Sequence, residues 1–334
     1  MSRGLDGFEM DDFRDSRREF EPYNPSREPS RGRGRGSQTE AKLGKFREAE
    51  LRSDQLSTQS REHPEATRPP LPREARQLAV LGERDRTKYR DRDKDYSLRS
   101  SEIHSLSEVA KFRVVAVEDL AKHAYAGDRS RMDSDLRSLI RQGLVERRET
   151  NLLKKVSRQV LTLTKQGQRL IRRHAFVPED QAIHSGFVKP KEADHDAALY
   201  RLYQKAAGEI ERKGGKVLRV QLDYELKEKL YRKLGQAQAR GESKTQRLKE
   251  AFARELQLPT VHGKVSFPDL RIEYTTQEME IARVDLELAT GHYHAGHLAE
   301  KARAGFQIYA RSEDAAGLRR VRDDREIMTA ILSL

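Results

Sequence analysis

Two runs of strict alternation mark the last third of the chain. Leu270, Ile272 and Tyr274 fall on one side of an extended segment and Asp269, Arg271 and Glu273 on the other; in a second segment Ala282, Val284 and Leu286 oppose Arg283, Asp285 and Glu287. Period-two patterning predicts a pair of half-buried strands joined by the loop TTQEM. A slip of one residue would turn an acidic set into the core, so only registers that keep parity are admissible. One sets Asp269 opposite Asp285. The other sets Asp269 opposite Glu287, Arg271 opposite Asp285 and Glu273 opposite Arg283, and is preferred because two of its pairs join opposite charges. Its remaining pair, Asp269 with Glu287, brings like charges together and wants a cation between them.

Upstream the period changes to that of helices. SSEIHSLSEVAKF carries Ile103, Leu106, Val109 and Ala110 on one face, and VEDLAKHAY predicts a shorter helix. A third helix follows Gly127, with Met132, Leu136, Leu139 and Ile140 inward, Asp128 as its N-cap and Gly143 as its stop. VERRE and SRQVLTLT read as strands around NLLKK, and KQGQRLIRRH as a closing helix. Residues 177–192 hold two prolines and no sustained period, which predicts a linker. Beyond it come a helix from Asp194 to Lys213 with Leu199, Leu202, Tyr203, Ala206 and Ile210 on one stripe, and a strand with Leu218, Val220 and Leu222 inward. A charged helical insertion, broken near Gly235 and Gly241, then leads to the two alternating strands, a small-residue helix and a short apolar run. The fold class expected is α+β.

Composition divides the chain further. Only 35% of the 334 residues are hydrophobic and the mean hydropathy is -0.90, so part of the sequence is too polar to build a core. Residues 1–97 are the expected disordered basic tail; within them RGRGRG at Arg31 to Gly36 suits either a nucleic-acid contact or a solvated linker, and RDRTKYRDRDKDY a polar spacer. A net charge of +12 favours a polyanionic partner, nucleic acid before an anionic membrane surface. The absence of cysteine removes disulfides, thiol catalysis and cysteine–zinc sites and suits a reducing cytoplasm. No apolar run is long enough to span a bilayer, and MSRGLDGFEMDDF lacks the core of a signal peptide, so a cytoplasmic protein without a membrane partner is expected.

The order helix, helix, helix, hairpin, helix over 98–176, above all RSLIRQGLVERRE and the strand entering LTKQGQRLI, resembles winged helix-turn-helix DNA-binding domains. The resemblance implies that Arg129, Ser130, Arg131, Ser134 and Arg137 line a helix in the major groove, while Lys154, Lys155 and Arg158 sit on a wing against phosphates. Such domains also serve as protein–protein modules. Residues 193–334 resemble the PD-(D/E)XK restriction-endonuclease-like fold, with Pro268 and Asp269 as its PD, Asp285 as the second acidic residue and Glu287 where lysine is usual; Lys301 on the following helix restores the positive charge. This implies a catalytic set of Asp269, Asp285, Glu287 and Lys301, with the three carboxylates holding Mg²⁺ or Mn²⁺. The alternative for the same residues is the charged outer face of a sheet.

Taken together, the two segments resemble the replication-relaxation family of plasmids and mobile elements. The resemblance implies a DNA-binding protein of replication, maintenance or transfer, with metal-dependent phosphodiester cleavage. A non-enzymatic regulator whose second domain serves for homodimerisation or partner contact, and an RNA-binding protein led by the arginine-glycine run, are the alternatives. GHYHAGH places His294 and His297 one helical turn apart after His292; without cysteine a structural zinc lacks ligands, and a helix cap, a phosphate contact or a proton donor remains.

Overall fold

The computed structural model describes residues 85–334, with 153–155, 243–244, 292 and 325–330 outside the description. The arginine-glycine run, Lys154, Lys155 and His292 therefore lie outside the described residues.

The first element among the described residues is a hairpin that the polar-spacer reading missed. Strands β1 (Thr87–Asp91) and β2 (Lys94–Leu98) pair antiparallel with Tyr89 opposite Tyr96, and Arg92 takes a positive φ of 55° in the turn. Parity turns Tyr96 and Leu98 into the core at 2% and 1% exposure. Tyr89 meets His174 and Phe176 edge-on, with ring centroids 5.1 and 5.0 Å away. Asp91 is buried and lies 3.5 Å from both Arg169 and Arg173. Residues 87–97 thus belong to the folded body and correct the boundary placed at 97. Charges on the outward positions concealed a two-strand pattern whose inward positions are Tyr, Asp, Tyr and Leu.

Helices α1 (Ser100–Ala110), α2 (Val117–Ala124) and α3 (Arg129–Arg141) follow, with the short strand β3 (Val115–Ala116) between the first two. Strands β4 (Val145–Leu152) and β5 (Val156–Leu163) form a hairpin, and the sheet order is β3-β5-β4; α4 (Lys165–Arg173) closes the set. Asp128 caps α3 by accepting from the Arg131 N–H at 2.9 Å, and Thr164 caps α4 through the Gly167 N–H at 3.0 Å. Gly143 stops α3 with φ 75°, a conformation that costs glycine nothing. Met132, Leu136 and Leu139 are buried as expected, whereas Ile140 is exposed.

Helix α5 (Pro190–Arg212) starts four residues before its predicted boundary, because Pro190 occupies the first turn, where its missing N–H has no intrahelical partner in any case. Its apolar stripe Leu199, Leu202, Tyr203, Ala206 and Ile210 is buried. Phe112, from the turn after α1, packs against Tyr200 and Tyr203 at centroid distances of 5.2 and 5.4 Å. One apolar core therefore runs from Tyr96 and Leu106 through α5 to Ile272 and Leu288. The 177–192 segment is packed rather than free: Val177, Gln181 and Ile183 are buried, and the Gln181 side chain both accepts from the Val220 N–H (2.9 Å) and donates to the Val220 carbonyl (3.0 Å).

Beyond α5 a five-stranded sheet has the order β12-β11-β10-β9-β6, built from β6 (Lys216–Leu222), β9 (Leu270–Thr275), β10 (Ile281–Ala289), β11 (Gln307–Ala310) and β12 (Ile331–Ser333). The β6, β9 and β10 pairings are antiparallel and the other two parallel. Across β9 and β10, Arg271 stands opposite Asp285 and Glu273 opposite Arg283, the register that charge pairing favours. A register shift between Val217 and Arg219 leaves Leu218 exposed, against the simple alternation expected of β6. The insertion folds as α6 (Asp223–Ala239) and α7 (Gln246–Glu255), with the small hairpin β7 (Thr260–Val261) and β8 (Lys264–Val265) after it. Gly235 does not break α6; the break comes at Gly241, where φ is 87°. Helices α8 (Ala295–Arg303) and α9 (Ser312–Asp324) complete the fold.

Candidate active site and nucleic-acid face

Asp269 immediately precedes β9, and the antiparallel register carries it to Glu287 near the inner end of β10. The Asp269 N–H reaches Glu287 Oε2 at 3.3 Å, while Asp269 Oδ2 accepts from the Leu288 N–H at 2.9 Å. Backbone hydrogen bonds thus lock two carboxylates side by side. Lys301, two turns into α8, places Nζ 2.9 Å from Glu287 Oε1 and 2.8 Å from the Phe267 carbonyl. From the loop before α8, the Tyr293 hydroxyl donates to Glu287 Oε1 at 2.5 Å. On the far side, His195 of α5 sets Nε2 3.4 Å from Asp269 Oδ2 and Nδ1 3.5 Å from Asp196.

This crowding shifts the titration of Glu287, Asp269, His195 and Tyr293. Glu287 is 1% exposed, and burial followed by the Asp269 charge pushes its carboxyl up to about 7 despite the pull of Lys301 and Tyr293. Burial also acts to raise Asp269, but His195, Lys301 and the Leu288 N–H outweigh it and hold that carboxyl below the ordinary aspartate value. For His195 burial favours the neutral ring; the Asp196 and Asp269 carboxylates overcome it and lift the imidazolium to about 10. Burial, then the two carboxylates, drive the Tyr293 hydroxyl far above its usual range, so it stays a donor.

Three of the four residues expected to carry catalysis, Asp269, Glu287 and Lys301, therefore meet. Asp285 does not join them. Its carboxylate is bound by both Arg271 Nε (2.6 Å) and Nη2 (2.9 Å), and the Arg271 guanidinium also donates to the Leu256 and Gln257 carbonyls beyond α7. Opposite-charge pairing placed this contact correctly and at the same time removed Asp285 from the ligand set. Among the described residues no three His, Asp or Glu side chains stand together as a ready metal site. Two carboxylates nonetheless suit Mg²⁺ or Mn²⁺, which retain water and substrate oxygens as their other ligands.

His195 and Tyr293 were missed by sequence reasoning. His195 lies 74 positions before Asp269, with only the triplet Asp194, His195, Asp196 at the start of an otherwise apolar-striped helix as a signal. Tyr293 hides inside GHYHAGH, where attention falls on histidine; His294 and His297 are exposed, and His297 stacks obliquely near Tyr293 at 5.6 Å.

On the face implied for DNA, Arg129, Ser130 and Arg137 are exposed and Ser134 is half-buried along α3. Arg131 departs from the expectation. Its guanidinium folds back, 3.5 Å from the fully buried Asp135 and 3.4 Å from Ser101 Oγ. Asp135 gathers Arg99 (3.2 Å), Ser101 (2.6 Å) and Tyr125 (3.2 Å) as well, so Arg131 serves a buried polar cluster. Arg158 is half-buried on β5.

Comparison with protein-family models, with curated proteins and with solved structures gives no match for this chain.

Proposed function

We propose that the chain is a DNA-binding protein in which residues 98–176 act as a winged helix and the second part is a nuclease-like domain that cleaves phosphodiesters. The observation that carries this reading is the Asp269–Glu287 pair with Lys301 Nζ 2.9 Å from it at the inner end of a mixed sheet. Asp269 and Glu287 would hold Mg²⁺ or Mn²⁺, which supplies a Lewis acid for the scissile phosphate and lowers the pKa of an attacking water. Lys301 brings a fixed positive charge to the same place, suited to a phosphate oxygen as charge develops on it. Arg129 and Arg137 offer exposed cations for the phosphate backbone. Placement in plasmid or mobile-element replication, maintenance or transfer rests on the resemblance in element order alone.

A second reading has its own support. Lys301 and His195 already balance the two carboxylates, so the cluster is electrically complete without a metal, as a regulator with a degenerate nuclease-like domain would have it. Supercoiled plasmid incubated with the full chain and Mn²⁺ separates the two. Nicking that Asp269→Asn abolishes, together with a Mn²⁺-dependent rise in Tm that the same change removes, supports the nuclease; asparagine keeps an oxygen acceptor for the Leu288 N–H, so the fold is retained. Intact plasmid and an unmoved Tm leave the regulator.

A further inference from the structure

The carboxylate pair belongs to the second half of the chain, yet one of its supports comes from the first. Arg113, in the turn between α1 and β3, places Nη1 3.2 Å from Asp196 and Nη2 3.4 Å from Glu192, both on α5. Its guanidinium also lies over the Tyr224 ring, 5.3 Å from the centroid, and its carbonyl accepts from Thr162 Oγ1 at 2.9 Å. Asp196 is 8% exposed and contacts the His195 ring through its other oxygen; that ring in turn reaches Asp269. Arg113, Asp196, His195 and Asp269 therefore form an unbroken series of contacts of alternating charge, anchored at one end on β5 and at the other on β10.

We propose that Arg113 and Asp196 are positioning residues for Asp269, acting through His195, so that the candidate active site is complete only when the DNA-binding half is docked on α5. The physical reason is orientational. An imidazole held on one nitrogen alone can rotate about its side-chain torsions, whereas a ring gripped at both nitrogens presents Nε2 to Asp269 in one pose. A carboxylate fixed at Oδ2 by that ring and by the Leu288 N–H turns Oδ1 in one direction, which is the preorganisation that two-carboxylate sites require. Arg113 is the permanent charge in the series, and its fork lies within ion-pair distance of Asp196 and Glu192 together. This inference rests on the nuclease-like reading only for the use made of Asp269; the positioning itself is open to measurement without metal or DNA.

The Leu288 amide supplies the measurement, because its acceptor is Asp269 Oδ2. Hydrogen exchange is followed by NMR in the full chain for wild type, Asp196→Asn, Arg113→Met and Arg113→Lys, with the buried Ile272 amide of β9 as internal reference. Asp196→Asn and Arg113→Met are expected to speed exchange at Leu288 by about tenfold while Ile272 is unchanged, a local opening and not a global one. Arg113→Lys, which retains the charge but not the fork, should restore most of the protection. Unchanged exchange at Leu288, or equal acceleration at Leu288 and Ile272, overturns the proposal. A Mn²⁺ titration of the same four proteins distinguishes the two ideas: absence of uptake by wild type counts against the nuclease, while the Leu288 result still decides the positioning.

Discussion

Arg271 and Asp285 face each other across β9 and β10 in a two-pronged ion pair, 2.6 and 2.9 Å, with the arginine only 3% exposed. The same guanidinium holds the Leu256 and Gln257 carbonyls, so it ties the end of the helical insertion to the sheet. Removing Asp285 strands a buried cation. Asp285→Ala is therefore expected to destabilise the fold by about 3–5 kcal/mol, whereas Arg271→Met combined with Asp285→Leu should cost less than the single change. Urea denaturation of the three proteins checks this; a single variant as stable as wild type would show that the pair carries no structural weight.

The carboxylate pair gives the protein a particular pH dependence. A folded-state value near 7 for Glu287 means that the native state binds more protons than the unfolded chain from about 4.5 upward, so its contribution to stability falls as pH rises to about 7 and is level above. His195 acts in a higher window: its stabilisation is full below about 6.5 and is lost as pH climbs through about 10. Asp269, held low, contributes above its ordinary value and loses that contribution in acid. Glu287→Gln is expected to flatten the decline between pH 4.5 and 7 in chemical denaturation, leaving the alkaline decline in place.

Arg131 and Arg137 should part company when each is changed to alanine. Arg137 is exposed on α3, and its loss is expected to weaken DNA binding and reduce the salt slope by about 1. Arg131 serves Asp135 and Ser101, so its loss is expected to lower stability by about 1 kcal/mol with the salt slope unchanged. Fluorescence anisotropy across a salt series, beside thermal melts, tests both; equal effects on binding would mean that Arg131 leaves its internal partners on DNA.

Truncation tests the N-terminal hairpin. A fragment beginning at Asp85 keeps Tyr96 and the Asp91 contacts with Arg169 and Arg173; one beginning at Leu98 loses them. The shorter fragment is expected to be less stable by on the order of 3 kcal/mol, read from denaturant midpoints. Matching midpoints would demote the hairpin to an ornament.

What the sequence disclosed and what it withheld follow one physical divide. Contacts within a repeating local pattern were legible: the β9–β10 register from opposite charges, the α5 stripe from its period, the α3 cap from Asp128. Asp285 shows the limit, since an outward acidic position looks the same whether it binds a metal or an arginine on the next strand. His195 and Arg113 acquire meaning only when α5 packs between two sheets, and no spacing in the chain encodes that meeting. The β1–β2 hairpin was hidden for the opposite reason, because its polar outward residues outnumber the inward ones that fold it.

Helix α5 holds Phe112 against Tyr200 and Tyr203 on one flank and Val220, Ile272 and Leu286 within the same core on the other. The separation of α3 from the Asp269–Glu287 pair is accordingly set by close packing and not by the length of a tether. Under the DNA-binding reading proposed above, such a gauge would have a definite meaning: a grip at one point would fix both the distance along the duplex and the rotational phase at which its backbone meets the carboxylates.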